Sequence, residues 1–147
     1  MSEFKHIVRI ADTDLDGKKS VMFALTGIKG IGLRMARCIV NHLGFDANQK
    51  LGEMSDEDIE KLRKFVEEEI ESLPSWVLNR RKDPYTGKDL HLLSKDVDFA
   101  KMVDIEMMIR MKCYRGSRHA KGKKVRGQRT RSTGRSGRTV GVVRRKK

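Results

Sequence analysis

Acidic and basic residues are distributed so unevenly along this chain that they divide it into two chemically different parts. The chain has 147 residues and a formal net charge of +13, with 33 lysines and arginines against 20 aspartates and glutamates. All 20 acidic residues lie at or before Glu106, whereas 16 of the basic residues lie in the last 41 positions. A basic block of this size repels itself and is typical of a segment that binds a polyanion.

The segment from Arg115 to Lys147 also carries too little apolar material to form a core. Its aliphatic residues are one alanine and four valines, and six of its 33 residues are glycine. Burying those five side chains would stabilise it by about 10 kcal/mol, whereas ordering 33 residues costs roughly 1–2 kcal/mol each in backbone entropy. We therefore predict a globular domain over residues 1–114 and a tail over 115–147 that is disordered until an anionic partner binds it.

Composition and motifs exclude several classes of function. The longest apolar run, Val21 to Leu25, has five residues, whereas a membrane span needs about 20, so we expect no membrane partner. The N-terminus lacks the apolar stretch of a secretory signal, and two distant cysteines favour a reduced, cytoplasmic setting. The glycines at 27–32 lack the lysine of a P-loop, and the four histidines have no ligand spacing. We predict no catalytic residues, no metal and no cofactor, and hence not an enzyme.

Hydrophobic periodicity predicts that residues 1–114 form a small, mostly α-helical domain. Ser55 and Asp58 have the spacing of a helix N-cap and its third residue. The last predicted helix carries Met107, Met108 and Met111, which we interpret as core residues. Helices are predicted over residues 18–25, 33–43, 55–73 and 98–114, a turn over 12–17, and either a strand or an extended arm over 6–10.

Two glycine-containing stretches interrupt the helices. The polar stretch 76–98 contains the turn sequence Asp-Pro-Tyr-Thr-Gly-Lys, so that a hairpin is one option for this insert. Residues 28–40 resemble the glycine hairpin of helix-hairpin-helix and helix-two-turn-helix motifs, which bind nucleic-acid backbones. The N–H groups that begin the next helix can face a phosphate. The alternative is a plain helix–helix turn. The candidate phosphate-binding residues here are Lys29, Gly30, Gly32, Arg34 and Arg37.

The basic tail then gives the most specific signal in the chain. Residues 114–119, Tyr-Arg-Gly-Ser-Arg-His, are followed at 125–134 by Val-Arg-Gly-Gln-Arg-Thr-Arg-Ser-Thr-Gly. With the glycine hairpin ahead of it, this pattern resembles the small-subunit ribosomal protein S-thirteen family over nearly the whole chain. The 76–98 insert and the C-terminal Gly-Arg-Thr-Val-Gly-Val resemble its archaeal and eukaryotic branch.

The resemblance implies a structural protein of the ribosome in the cytoplasm. It implies binding to small-subunit rRNA in the subunit head, a helical domain that takes part in bridges to the large-subunit protein L-five, and a tail directed toward P-site tRNA. Protein S-nineteen of the head is an expected neighbour. The implied rRNA-binding residues of the tail are Arg115, Arg118, His119, Arg126, Gln128, Arg129, Thr130, Arg131, Arg135 and Arg138. The implied tRNA-proximal residues are Arg144, Arg145, Lys146 and Lys147.

Three other interpretations share part of this evidence. A generic solubilising or nuclear-import tail would account for the charge, but such tails are usually lysine-rich and monotonous, whereas this one interleaves arginine with Gly, Ser and Thr. Arginine binds phosphate bidentately and stacks on bases. A DNA-repair enzyme built on the hairpin would need a second domain for its catalytic group. A chromatin-like DNA packager would prefer duplex DNA to structured rRNA.

Overall fold

The computed structural model describes residues 4–134, which are mostly helical. They divide into two units that we treat separately, one ending at Ala100 and one beginning at Lys101. The first unit contains a two-stranded sheet, three helices and the start of a fourth; the second contains the rest of that helix and a short fifth one. The predicted fold class, mostly α-helical, is confirmed, with a small two-stranded sheet besides the helices.

The first unit begins with an antiparallel hairpin of β1 (Ile7–Ile10) and β2 (Thr13–Asp16), in which Val8 is paired with Leu15. Alternation places Val8, Ile10 and Leu15 in the core. The predicted turn over residues 12–17 is therefore wrong: the reversal is tighter, at Ala11 and Asp12, which both have positive φ. The aspartates of β2 face solvent, so their turn-forming character did not prevent a strand.

Two helices follow, joined by the glycine hairpin. Helix α1 (Val21–Leu25) is shorter than the predicted 18–25, because Ser20 is its N-cap. Helix α2 (Leu33–Leu43) has the predicted bounds and ends at Gly44, whose left-handed φ of 71° suits a glycine C-cap. Its buried stripe is Met35, Ala36, Ile39 and Val40.

The third helix carries the strongest local signals. After a 3₁₀ turn at Leu51–Glu53, α3 spans Asp56–Lys64 and continues as a π turn, Phe65–Glu69, and a 3₁₀ turn, Ile70–Ser72. The predicted N-cap is confirmed, since Ser55 Oγ accepts a hydrogen bond from the Asp58 N–H at 3.2 Å. The predicted core stripe is also buried throughout: Ile59, Leu62, Val66, Ile70 and Leu73.

The insert forms a compact loop that folds back on the hairpin. Arg80 and Leu90 form an isolated antiparallel bridge, and inside it the N–H of Asp83 donates to the carbonyl of Lys88 at 2.9 Å. The buried Asp83 carboxylate organises the tip by accepting hydrogen bonds from Arg80 Nε and from the N–H groups of Tyr85 and Thr86. The insert is therefore held by its own polar groups.

Helix α4 (Ser94–Arg110) corrects the bounds of the last predicted helix. It begins and ends four residues earlier than the predicted 98–114, and a second helix, α5 (Tyr114–Ala120), follows a turn in which Lys112 has a φ of 53°. None of the α4 residues is buried, and Met111 is 61% exposed. The interpretation of its methionines as core residues is wrong, because periodicity reports an apolar face and does not say whether this chain covers it.

Candidate nucleic-acid interface

Two buried isoleucines hold the glycine hairpin between α1 and α2 against the core of the first unit. Ile28 and Ile31 are 1% and 4% exposed, and the N–H of Ile31 donates to the carbonyl of Ile28 at 3.0 Å. Gly32 then takes an extended conformation as the N-cap of α2. The turn is thus a rigid platform whose outer edge is the beginning of α2.

Half of the predicted hairpin site is occupied by the chain itself. Gly30 has a φ of 104°, and a Cβ there would overlap the carbonyl oxygen of Leu92 in the insert. The carbonyl of Lys29 accepts a hydrogen bond from the N–H of Ser94 at 2.7 Å, and the Lys29 ammonium pairs with Asp98. The close backbone approach predicted for a phosphate at Gly30 is made here by Leu92.

The other half of the hairpin site is open. Apart from its chain neighbours, no atom of residues 4–134 lies within 4 Å of where a Cβ of Gly32 would be, and Arg34 and Arg37 are exposed one turn apart on α2. No side chain caps this helix, and its first turn holds no acidic residue. Free N–H groups beside two guanidinium groups attract an anion. Gly32, Arg34 and Arg37 therefore form the available part of the predicted phosphate site.

In the second unit, the start of the tail signature is a helix pinned to the end of α4. Gly116 is buried, and a Cβ there would overlap the carbonyl of Met108. Cys113 caps α5: its Sγ accepts from the Gly116 N–H at 3.3 Å and donates to the Met108 carbonyl at 3.4 Å. Gly116 therefore permits the backbone of α5 to contact the end of α4, and this contact fixes the neighbouring basic residues Arg115 and Arg118.

The loop after α5 is tied back to that helix. Arg118 Nε donates to the carbonyl of Lys124 at 3.0 Å, and the Lys123 N–H donates to the carbonyl of Arg118 at 2.9 Å. Farther on, Gln128 Oε1 accepts from the Arg126 N–H at 3.0 Å. Arg118 and Gln128, both predicted as rRNA ligands, thus also shape the loop that presents their neighbours.

The second unit contains basic groups without acidic partners. Among the ten lysines and arginines from Met107 to Gly134, Arg110 pairs with Glu106 at 2.7 Å, and within the described residues the other nine form no ion pair. By contrast, cations of the first unit pair with carboxylates, as in Lys61 with Asp58 and Arg63 with Glu60. Unpaired exposed guanidinium and ammonium groups make a surface that attracts polyanions.

The structure brings some of the predicted tail residues together. Arg115, His119 and Arg126 line one cavity, while Arg129, Thr130 and Arg131 are exposed on the loop that follows. Six predicted residues lie outside the described part of the chain: Arg135, Arg138, Arg144, Arg145, Lys146 and Lys147. The roles assigned to all these residues stay predictions.

Sequence reasoning missed several residues that this surface uses. Lys121, Lys123 and Lys124 are exposed on the loop between the two halves of the tail signature. Their charge is evident in the sequence, but they lie outside the two halves of the tail signature and so were not among the predicted residues. The cap formed by Cys113 had no sequence signal, because a cysteine is not a typical helix N-cap.

Together these features define a class of protein: a small helical domain with a basic appendage, typical of chains that bind nucleic-acid backbones. In residues 4–134, no group of three or more His, Cys, Asp or Glu side chains is placed to hold a metal ion. Within the same residues, no helix combines the length and the apolar character needed to cross a membrane.

Comparison with known proteins identifies the family. Residues 9–136 match the model of the family described as Ribosomal protein S13/S18. The chain is 82% identical over 144 residues to small ribosomal subunit protein uS13 of Archaeoglobus fulgidus, covering 98% of this chain and 99% of the relative. It is 51% identical over 144 residues to the protein of the same name from Methanococcoides burtonii, covering 98% and 97%. For the Methanopyrus kandleri protein the identity is 53% over 147 residues, covering 95% of each chain.

This chain belongs to the ribosomal protein S13/S18 family. It is a structural constituent of the ribosome and not an enzyme. The resemblance read from the tail signature and the glycine hairpin is thereby confirmed, as is the expectation of a place in the ribosome.

Proposed function

We propose that this protein is a structural constituent of the small ribosomal subunit that holds rRNA of the subunit head through two separate phosphate-binding surfaces. One surface is the open start of α2, formed by Gly32, Arg34 and Arg37. The other is the second unit, from Arg115 to Arg131. The observation that carries the proposal is the nine basic side chains of residues 107–134 that form no ion pair within the described chain.

The two surfaces have different physical tasks. The start of α2 is rigid, since it rests on buried isoleucines of the first unit, and it reads the position of a phosphate rather than a base. The second unit neutralises several phosphates at once and gains most of its free energy from released counterions. The first surface therefore orients the domain, and the second supplies affinity.

The finer placement follows the family resemblance and the charge. The domain takes part in bridges to the large subunit, including protein L-five, beside protein S-nineteen of the head, and the last residues, Arg144 to Lys147, approach P-site tRNA. Two relatives that match nearly end to end are named as proteins of the small subunit, which supports a place in that subunit. The localisation that follows is the cytoplasm, in the ribosome.

The salt dependence of binding to small-subunit rRNA tests the proposal. If about ten cations contact phosphate, log K falls with log salt at a slope of about −7 to −9. Replacing Arg129 and Arg131 by Gln removes two of them and makes the slope shallower by about 1.5. The matched control replaces Lys61 and Lys64 by Gln. Both lysines are exposed on the acidic helix α3, and we expect the slope to stay unchanged. A slope for the intact chain shallower than about −2 contradicts the multi-phosphate model.

A further inference from the structure

The cavity in the second unit has a composition that backbone neutralisation alone does not require. Its volume is about 750 Å³, and its lining combines Met108 and Val125 with Arg115, His119 and Arg126. Sites for small ligands span about 300–1,000 Å³ and combine an apolar surface with a few polar groups. A phosphate contact needs the cations but gains nothing from the thioether and the valine.

Local contacts hold the walls of this cavity in place. Arg115 and His119 are four residues apart on α5, so they lie on the same face of that helix. The buried Gly116 and the Cys113 cap fix α5 against Met108 at the end of α4. In the loop that follows, Arg118 Nε donates to the carbonyl of Lys124, which positions the next residues, Val125 and Arg126. The cavity thus combines basic side chains of α5 and of the following loop with the apolar Met108 and Val125.

The charge of the cavity restricts its ligand to an anion. Two arginines and no aspartate or glutamate stand among the described residues that line it, so that a bound cation would be repelled. The two arginines match a phosphate bidentately, whereas Met108 and Val125 accept a flat apolar body beside it. A nucleotide has both parts.

We propose that this cavity takes a single unpaired nucleotide of rRNA, with its phosphate between Arg115 and Arg126 and its base against Met108 and Val125. The proposal rests on rRNA binding as proposed above and deepens it. A base inside a regular helix is stacked and paired and cannot enter, whereas a bulged or looped-out base is free to do so. The tail then recognises a local irregularity in the RNA as well as its charge.

Two RNA hairpins of equal length test this with the full chain. One carries a single bulged 2-aminopurine, a fluorescent base, and the other is fully paired. We expect the bulged hairpin to bind about tenfold more tightly, with a change in 2-aminopurine fluorescence on binding. Equal affinity for the two hairpins overturns the proposal. AMP supplies the same chemistry without a chain, and if it binds as tightly as the bulged hairpin, the cavity is a site for free nucleotides and the proposal also fails.

Substitutions locate the effect in the cavity. Val125→Ser changes no charge, so it reduces the preference for the bulge and leaves the affinity for the paired hairpin unchanged. Arg115→Gln reduces the preference as well, whereas Lys121→Gln, which removes an equal charge outside the lining, weakens both hairpins by the same factor. If Arg115→Gln and Lys121→Gln behave alike and Val125→Ser has no effect, the cavity is not the site. The paired hairpin and its salt slope report separately on the proposed function, so either proposal can fail alone.

Discussion

The two units of this protein solve the problem of stability in opposite ways. In the described chain, 21 buried hydrophobic side chains lie between Val8 and Leu78, and from Lys101 onward Gly116 is the one buried residue. In the first unit several cations are paired with carboxylates, whereas nine of ten in residues 107–134 have no acidic partner. The first unit therefore buries its apolar side chains and pairs cations within itself. The described part of the second unit buries no apolar side chain and leaves nine cations unpaired.

The exposed apolar side chains of α4 sharpen this contrast. Met102 and Ile109, on the part of α4 that belongs to the second unit, are 60% and 37% exposed, although their spacing is that of a core stripe. Exposed apolar residues on this helix, followed by unpaired cations, are typical of a surface that a partner covers. The difference between the units is that the first is completed by its own side chains, whereas we propose that ribosomal RNA completes the second.

Truncating a buried side chain in the first unit has the largest expected effect on stability, and truncating an exposed one in the second unit is its control. Leu62→Ala empties a fully buried position in the first unit, and we expect it to lower the free energy of unfolding by about 2–5 kcal/mol. Met102→Ala, on the exposed face of α4, changes it by no more than about 0.5 kcal/mol. Urea denaturation followed by circular dichroism measures both, and similar losses for the two variants would remove the distinction between the units.

The two hairpin glycines, Gly30 and Gly32, have different expected roles: Gly30 in packing against the insert and Gly32 in binding a phosphate. Gly30→Ala forces a Cβ onto the carbonyl of Leu92 at a positive φ, so we expect it to lower the free energy of unfolding by about 1–3 kcal/mol. Gly32→Ala meets open space at an ordinary φ and costs less, about 0.5 kcal/mol, because alanine is a poorer helix N-cap than glycine. Its methyl group would stand where we propose that a phosphate approaches α2.

Thermal unfolding and rRNA binding together distinguish these two roles. Gly30→Ala lowers the melting temperature markedly, whereas Gly32→Ala lowers it only slightly and weakens rRNA binding. If Gly32→Ala binds rRNA as the unaltered chain does, the start of α2 is not a phosphate site. If Gly30→Ala is as stable as the unaltered chain, the insert does not pack against the hairpin.

The smallest expected effect is a loss of stability in the insert that occurs only at acidic pH. The hydrogen bond from the Arg80 side chain, followed by the N–H of Thr86, lowers the pKa of Asp83 to about 2. Because the pKa is lowered on folding, the carboxylate stabilises the insert fully above its ordinary pKa of 3.8, and this stabilisation is lost as the pH falls through about 2. The amide proton of Thr86, followed by NMR, should titrate near that pH, and in Asp83→Asn it should not. A midpoint at 3.8 would mean that these hydrogen bonds do not form.

Local signals in the sequence predicted the parts of the fold that depend on neighbouring residues. The Ser55 cap and the α3 stripe involve residues a few positions apart, and α2 has both its periodicity and its terminal Gly44 in sequence. The contact of Gly30 with Leu92 joins residues 62 positions apart, so its cause was not visible near the hairpin. The exposed face of α4 was misread for a related reason: a stripe predicts burial without naming what covers it.

The candidate site divides in the same way. The basic block and the tail signature were evident in the sequence, because charge and spacing are local properties. The convergence of Arg115, His119 and Arg126 on one cavity depends on how Gly116 meets α4 and on the Arg118 hydrogen bond to Lys124. Neither contact follows from periodicity or charge.

Hydrogen exchange of the free and the rRNA-bound protein tests the central claim most directly, that the first unit folds by itself and the second is completed by RNA. In the free protein we expect backbone amides of α2 and α3 to be protected and those of residues 127–134 to exchange without measurable protection. Binding to rRNA should protect the latter and leave the former nearly unchanged. Strong protection of residues 127–134 in the RNA-free protein would contradict the account.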